Sequence, residues 1–116
     1  MKVLIVDDNS AARTTMRIAL KRDHEVLEAE NGVEALEQLA QKPDLILLDH
    51  NMPEKNGDEF LDTLERDPAY ADYRNIPVVS IGDAPPGSLE RYQEKIPKGI
   101  MPDDLKALVE KYATPQ

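Results

Sequence analysis

The hydrophobic residues of this chain fall into short runs that alternate with segments of helical periodicity. The runs lie at residues 2–6, 25–29, 45–48 and 76–82, and each has the length of a single β-strand. A nearly continuous apolar run is typical of a strand that is covered on both faces, as in a parallel sheet. The alternation of such strands with helices predicts an α/β domain with right-handed crossovers.

The segments between the runs carry apolar residues every three or four positions, which predicts amphipathic helices. We expect Asn9 or Ser10 to cap the first helix, and Pro43 and Pro68 to stop the second and third. Pro102 lies near the start of the last helix. The first two helices are marked by the apolar positions 12, 16, 19 and 20 and by 36, 39 and 40, and the last two are predicted at residues 58–67 and 103–112.

Residues 83–97 have the least regular pattern. The sequence DAPPG is expected to form a loop, and SLERYQEK is long enough for about two helical turns. A very short fifth strand around Lys95–Pro97 would complete five strand–helix units. We therefore expect a doubly wound, five-stranded parallel sheet.

Composition narrows the classes of function that this domain can have. A chain of 116 residues is long enough for one domain, and the absence of cysteine excludes disulfides and thiolate metal sites. The net charge of −9 disfavours direct contact with nucleic acid or anionic lipid. The first apolar run, about five residues, is too short for a signal peptide or a membrane span. We expect a cytoplasmic domain that binds neither membrane nor nucleic acid directly.

Carboxylates follow two of the predicted strands. Asp7 and Asp8 come directly after the first strand, and Asp49 comes directly after the third. In a doubly wound sheet the carboxyl ends of the strands form the ligand-binding edge, so these side chains are expected to meet there. A hard divalent cation such as Mg²⁺ would relieve their mutual repulsion. The alternative is that Asp8 and Asn9 only cap the first helix and that Asp49 is a solvated strand end.

The segments VLIVDDN, LILLDHNMPEKNG, IPVVSIG and PKGIMPDDL resemble the receiver domain of bacterial two-component response regulators. The resemblance extends over essentially the whole chain, and its most specific part is the pair of acids combined with D-x-x-M-P-x-x-x-G. It implies a flavodoxin-like (βα)₅ fold and a single receiver domain at residues 1–116. It also implies that Asp49 accepts a phosphoryl group from the histidine of a sensor histidine kinase or of a histidine phosphotransfer protein.

The same resemblance implies roles for the residues around this acceptor. Together with the acceptor carboxylate, Asp8 would bind Mg²⁺ directly, Asp7 mostly through water, and Asn51 through its backbone carbonyl. Pro53 and Gly57 would shape the loop that follows. These roles describe a phosphoacceptor with Mg²⁺ as its cofactor.

A lysine is expected to neutralise charge on the phosphoryl oxygens. A carboxylate can accept a phosphoryl group as an acyl phosphate, and the loose transition state gains mainly from positioning and charge neutralisation. Lys98 matches the family's lysine, because its distance from Leu105 fits the family pattern. Lys95, three residues earlier, is the competing candidate.

The chain departs from the family at the residues that normally relay phosphorylation. Gly82 stands where the family carries Thr or Ser after the fourth strand, so only its backbone would contact the phosphoryl group. Ser80 is a possible substitute hydroxyl if the strand is shifted. Lys95 replaces the usual aromatic residue, and Gly99 replaces the proline that follows the family's lysine. The spacing from Gly82 to Lys98 is also shorter than usual, which predicts a shortened or remodelled fourth helix.

Three function classes follow from these observations. The first is a phosphoacceptor that is not an enzyme acting on other substrates, although it can hydrolyse its own phosphoryl group, and that signals by binding an unknown downstream protein. The second is a pseudo-receiver, an interaction module that binds its partner without phosphorylation. The third, a phosphatase of the haloacid dehalogenase type, is disfavoured because its D-x-D motif would require an acid at Asn51.

Overall fold

The computed structural model describes residues 1–49, 56–82, 92–97 and 99–113, and the structural statements below refer to these residues. Short 3₁₀ helices lie at Leu39–Gln41 and Pro68–Tyr73. The strands are β1 (Lys2–Val6), β2 (Glu25–Ala29), β3 (Leu45–Asp49), β4 (Val78–Ile81) and β5 (Glu94–Ile96). The helices are α1 (Ser10–Leu20), α2 (Gly32–Gln38), α3 (Gly57–Arg66) and α4 (Pro102–Ala113).

The strands form one parallel sheet in the order β2-β1-β3-β4-β5. This is the doubly wound, flavodoxin-like arrangement that the sequence predicts, and the fifth strand begins one residue earlier than expected. The strand order reverses between β1 and β3, so the crevice beyond their carboxyl ends is the expected place for a ligand. The residues that follow β1 and β3 are therefore the candidates for a ligand-binding site.

Alternate residues of the central strands supply two separate cores, one on each face of the sheet. Leu45 and Leu47 pack with α1 and α4, and Ile46 and Leu48 pack with α2 and α3. All five residues of β3 are buried, as expected for a strand covered on both faces. This alternation also fixes which face of the sheet each site residue occupies.

Three asparagines cap helices α1, α2 and α3. Asn9, and not Ser10, caps α1 by accepting a hydrogen bond from the backbone N–H of Ala12 at 3.1 Å. Asn31 caps α2 in the same way, and Asn56 forms a reciprocal capping box with α3. The loop after β1 therefore enters α1 in a defined direction.

The structure differs from the sequence prediction in the second helix and in part of the segment before β5. Helix α2 begins at Gly32 and ends at Gln38, before the predicted stop at Pro43, and gives way to a 3₁₀ turn at Leu39 that ends at the left-handed Lys42 (φ 57°). Of the stretch proposed as helical before β5, Tyr92 and Gln93 form bends, and Glu94 already belongs to the strand. The expected shortened or remodelled fourth helix otherwise falls at residues 83–91, outside the described residues.

Helix α4 is joined to the edge strand β5 by a small polar cluster. Glu94 accepts hydrogen bonds from the Tyr112 hydroxyl at 3.0 Å and from Lys111 Nζ at 2.8 Å. Burial and the hydrogen bond to the Glu94 carboxylate raise the pKa of Tyr112 to about 12.

With 12 residues, α4 is too short to cross a bilayer, and no other described helix has a membrane-spanning apolar segment.

Candidate functional site

The site is built where β1 and β3 end side by side. Val6 pairs with Leu48 in the parallel ladder, and the same register continued by one residue brings Asp7 beside Asp49. Asp8 follows in the loop that leads to α1. One carboxylate oxygen from each of the three aspartates lies within 4.8 Å of the other two. The structure therefore brings together the three acids that the sequence predicts at this edge.

Two of the three carboxylates are almost completely removed from solvent. Asp7 and Asp49 are each 1% exposed, whereas Asp8 is exposed. Two unit negative charges 4.8 Å apart repel by about 3.5 kcal/mol at an effective dielectric constant of about 20. A cation held between them would remove this repulsion. Carboxylate oxygens are ligands that Mg²⁺ and other hard cations prefer, so the donor set fits a divalent cation.

Backbone contacts hold Asp7 in place within this cluster. Its N–H donates to the carbonyl oxygen of Ala29 at 3.1 Å, which extends the β1–β2 ladder by one residue. Its carboxylate oxygen Oδ1 accepts a hydrogen bond from the N–H of Asn9 at 2.9 Å. Because Asn9 also caps α1, the start of that helix is fixed relative to the acid. Asp7 is therefore oriented by both the sheet and the helix.

Gly82 lies at the end of β4 in a conformation that favours glycine. Its φ angle is +80°, a region that residues with a Cβ rarely adopt. Its N–H donates to the carbonyl oxygen of Ile96 in β5 at 2.7 Å. The Gly82 N–H, expected to contact a phosphoryl group, is therefore already engaged in the sheet. This N–H is not available to a phosphoryl group in the described conformation, and the predicted backbone contact of Gly82 stays a prediction.

Ser80 lies inside the sheet on the face opposite Asp49. It is completely buried, pairs with Leu48 in the ladder, and donates its hydroxyl hydrogen bond to the carbonyl oxygen of Gly82 at 3.4 Å. Asp49 pairs instead with Ile81, so β4 is not shifted by two residues. Because neighbouring residues of a strand point to opposite faces, this placement argues against Ser80 as the substitute hydroxyl.

Lys95 is an exposed residue in the middle of β5, where its backbone pairs with that of Ser80. Its neighbour Ile96 pairs with Ile81 and packs in the core on the α1–α4 face. The alternation of the strand therefore turns Lys95 away from the face that carries Asp49. This geometry argues against Lys95 as the lysine that contacts the phosphoryl group.

The remaining predicted site residues are divided between described and undescribed parts of the chain. Gly57 is buried and is the first residue of α3, directly after the cap Asn56. Asn51, Pro53 and Lys98 lie outside the described residues, so their predicted roles stay predictions.

An open cleft of about 290 Å³ adjoins the acids between α1 and the ends of β4 and β5. Asp7 and Asn9 form its polar end, and Met16, Ile81 and Ile100 contribute apolar walls. Asp7 is the member of the acid cluster that lines this cleft. The sequence pattern alone did not indicate it, because its walls come from three separate segments.

Comparisons with known proteins agree with this geometry. A family model described as the response regulator receiver domain matches residues 3–110. The chemotaxis protein CheY1 of Helicobacter pylori is 40% identical over 85 residues. That match spans 70% of this chain and 66% of the relative, which is slightly less than two thirds of the relative's length.

Two solved structures have closely similar folds. The chemotaxis protein CheY4 of Vibrio cholerae has a TM-score of 0.82 and 25% identity, covering 96% of this chain and 97% of its own. The N-terminal domain of an uncharacterized protein from Wolinella succinogenes has a TM-score of 0.84 and 27% identity, covering 97% and 93%. Together with the paired acids and the sheet order, these matches confirm the resemblance: the chain belongs to the response regulator receiver domain family.

Proposed function

We propose that this receiver domain takes a phosphoryl group onto Asp49, with Mg²⁺ as cofactor, and signals through protein–protein contacts. The donor is the phosphohistidine of a sensor histidine kinase or of a histidine phosphotransfer protein. The observation that carries the proposal is the convergence of the Asp7, Asp8 and Asp49 carboxylates within 4.8 Å at the point where the strand order reverses. The downstream partner is a protein, in keeping with the net charge of −9, and the proposed location is the cytoplasm.

The transfer step needs little covalent chemistry from the protein. An oxygen of the Asp49 carboxylate forms a bond to phosphorus, the N–P bond of the phosphohistidine breaks, and its electron pair stays on the imidazole nitrogen. The transition state is loose and spreads negative charge over the phosphoryl oxygens. Bound Mg²⁺ neutralises part of that charge. The remaining requirement is that the acceptor oxygen be held in line with the breaking bond.

Burial and fixed backbone among the chain's own residues support this part of the proposal. Asp49 is the last residue of a fully buried strand, so its main chain has little freedom. Asp7 is fixed by its contacts with Ala29 and Asn9, while the exposed Asp8 is accessible from solvent. On this proposal, the only reaction that the domain catalyses is hydrolysis of its own acyl phosphate. Water then attacks phosphorus, inorganic phosphate leaves, and the Asp49 carboxylate is restored.

A second candidate, the pseudo-receiver, is favoured by the geometry of Gly82. This residue has no side-chain hydroxyl, and its N–H is bound to the Ile96 carbonyl oxygen. A phosphoryl group at Asp49 would therefore lack the usual contact at the end of β4. A ligand shifts a conformational equilibrium only as far as it interacts differently with the two states. A domain without this contact can bind its partner constitutively.

Phosphorylation by acetyl phosphate in the presence of Mg²⁺ separates the two candidates. We expect the wild-type protein to gain the mass of one phosphoryl group and the Asp49→Asn variant to gain none. Asp72→Asn, which removes an exposed carboxylate in the 3₁₀ helix, is the matched control and should be phosphorylated like the wild type. A wild-type protein that takes up no phosphoryl group would favour the pseudo-receiver. Uptake by Asp49→Asn would show that another residue is the acceptor.

A further inference from the structure

Arg13, near the start of α1, connects the acid cluster to strand β2. Its Nη1 donates a hydrogen bond to the backbone carbonyl oxygen of Asp7 at 2.6 Å. Its Nε donates to the carboxylate of Glu28 in β2 at 3.3 Å. The Arg13 side chain is only 16% exposed. A charged side chain this buried, with two fixed acceptors, is held much more firmly than a surface arginine.

Glu28 anchors the guanidinium group from the other side. Its second carboxylate oxygen accepts a hydrogen bond from Arg17 Nη1 at 3.1 Å, so two arginines one helical turn apart share one carboxylate. The Arg17 side chain is 45% exposed, and its guanidinium group contacts Glu28. The two arginines therefore differ in one useful respect, because Arg13 contacts Asp7 as well as Glu28.

At least three contacts among the described residues hold Asp7, and one of them involves the Arg13 side chain. The N–H is fixed by Ala29 and the carboxylate accepts the N–H of Asn9, both of which are main-chain donors or acceptors. The carbonyl is fixed by the Arg13 guanidinium. We infer that Arg13 is a positioning residue for the metal site, holding the peptide after Asp7 so that the Asp7 and Asp8 carboxylates face Asp49.

This inference rests on the proposed function, because it concerns how well the three acids hold Mg²⁺. The peptide between Asp7 and Asp8 carries the Asp7 carbonyl, so rotation of that peptide moves both carboxylates. Residues that orient metal ligands without touching the metal typically change metal affinity by about 10- to 100-fold when they are removed. The firm placement of Arg13 against Glu28 keeps the peptide in one orientation before the cation arrives.

The test compares Mg²⁺ binding by wild type, Arg13→Met and Arg17→Met in calorimetric titrations. Methionine keeps the aliphatic stem and removes every donor. We expect Arg13→Met to raise the dissociation constant for Mg²⁺ by about tenfold, the lower end of the 10- to 100-fold range. Arg17→Met should bind Mg²⁺ like the wild type, because the contact between Arg13 and Asp7 remains. Arg13→Lys, which can reach one acceptor as a point charge, should give an intermediate constant.

A second readout needs no metal. Amide hydrogen exchange at Asn9, whose N–H donates to the Asp7 carboxylate, should be faster in Arg13→Met than in Arg17→Met. Equal Mg²⁺ affinity in Arg13→Met and the wild type would overturn the inference and leave the proposed function intact. If Arg13→Met does not fold, Arg13→Lys decides, since wild-type affinity in that variant overturns the inference. A wild-type protein that binds no Mg²⁺ would overturn both together.

Discussion

Replacing Gly82 by threonine restores a hydroxyl at the position where related receiver domains carry one, but the backbone of Gly82 resists this change. The φ angle at this position is +80°, which a β-branched residue such as threonine would adopt only as a genuine outlier. Residues held in such conformations cost about 1–3 kcal/mol each. The reduced freedom of the unfolded chain offsets about 0.4–1 kcal/mol of that cost. We therefore expect Gly82→Thr to destabilise the domain, contrary to the stabilisation that a strand conformation at this position would allow.

The size of the effect can be measured by thermal unfolding. For 116 residues, an unfolding entropy of about 2.1 cal/mol/K per residue gives about 0.24 kcal/mol/K. Each 1 kcal/mol then lowers Tm by about 4 °C. A net loss of about 1–2 kcal/mol in the free energy of unfolding should lower Tm by about 4–8 °C. The unfolding transition is measured by circular dichroism in the absence of Mg²⁺.

Gly99 provides a matched control for this substitution. Its φ angle is +78°, and a Cβ built there meets no atom within 4 Å, so Gly99→Thr measures the backbone cost alone. We expect Gly82→Thr to be at least as destabilising, because Gly82 is buried and bonded to Ile96. If Gly82→Thr is as stable as the wild type while Gly99→Thr is not, the positive φ at Gly82 is wrong and β4 continues through this residue.

Four further changes test the site and its surroundings. At ten times its dissociation constant, Mg²⁺ should add about 1.4 kcal/mol to the free energy of unfolding, measured by thermal melts, and the gain should disappear in Asp8→Ala. Asp49→Asn should raise Tm without Mg²⁺, because it removes one of two buried like charges. Ser80→Ala should leave acetyl phosphate uptake unchanged, because Ser80 lies on the other face of the sheet. The raised pKa of Tyr112 favours the protonated folded state, so wild-type stability should fall between pH 10 and 12 more steeply than that of Tyr112→Phe.

The sequence predicts the sheet and the acid cluster because both depend on short-range patterns. Leu45–Leu48 is an uninterrupted apolar run, and only a strand covered on both faces buries all of it. Parallel strands align their carboxyl ends, so a carboxylate after β1 and one after β3 must meet once the strand order is known.

Short-range sequence patterns do not predict features that depend on how the strands pair and where separate elements pack. The glycine at position 82 is visible in the sequence, but its positive φ and its hydrogen bond to Ile96 depend on where β5 pairs with β4. The face of Ser80 depends on whether β4 pairs at one residue or the next. Arg13 and Arg17 are recognisable as neighbours on one helix, yet only the position of β2 shows that they share Glu28.

The pairing of β1 with β3 has a consequence for how the domain folds. Paired residues such as Val3 and Leu45 are 42 positions apart, and the chain between them contains a helix, a strand and another helix. Closing so long a segment is entropically costly and belongs to the slow, non-local part of folding. The acid cluster therefore cannot form in a partly folded chain that lacks this central pairing. A cation bound there would report that the middle of the sheet has assembled.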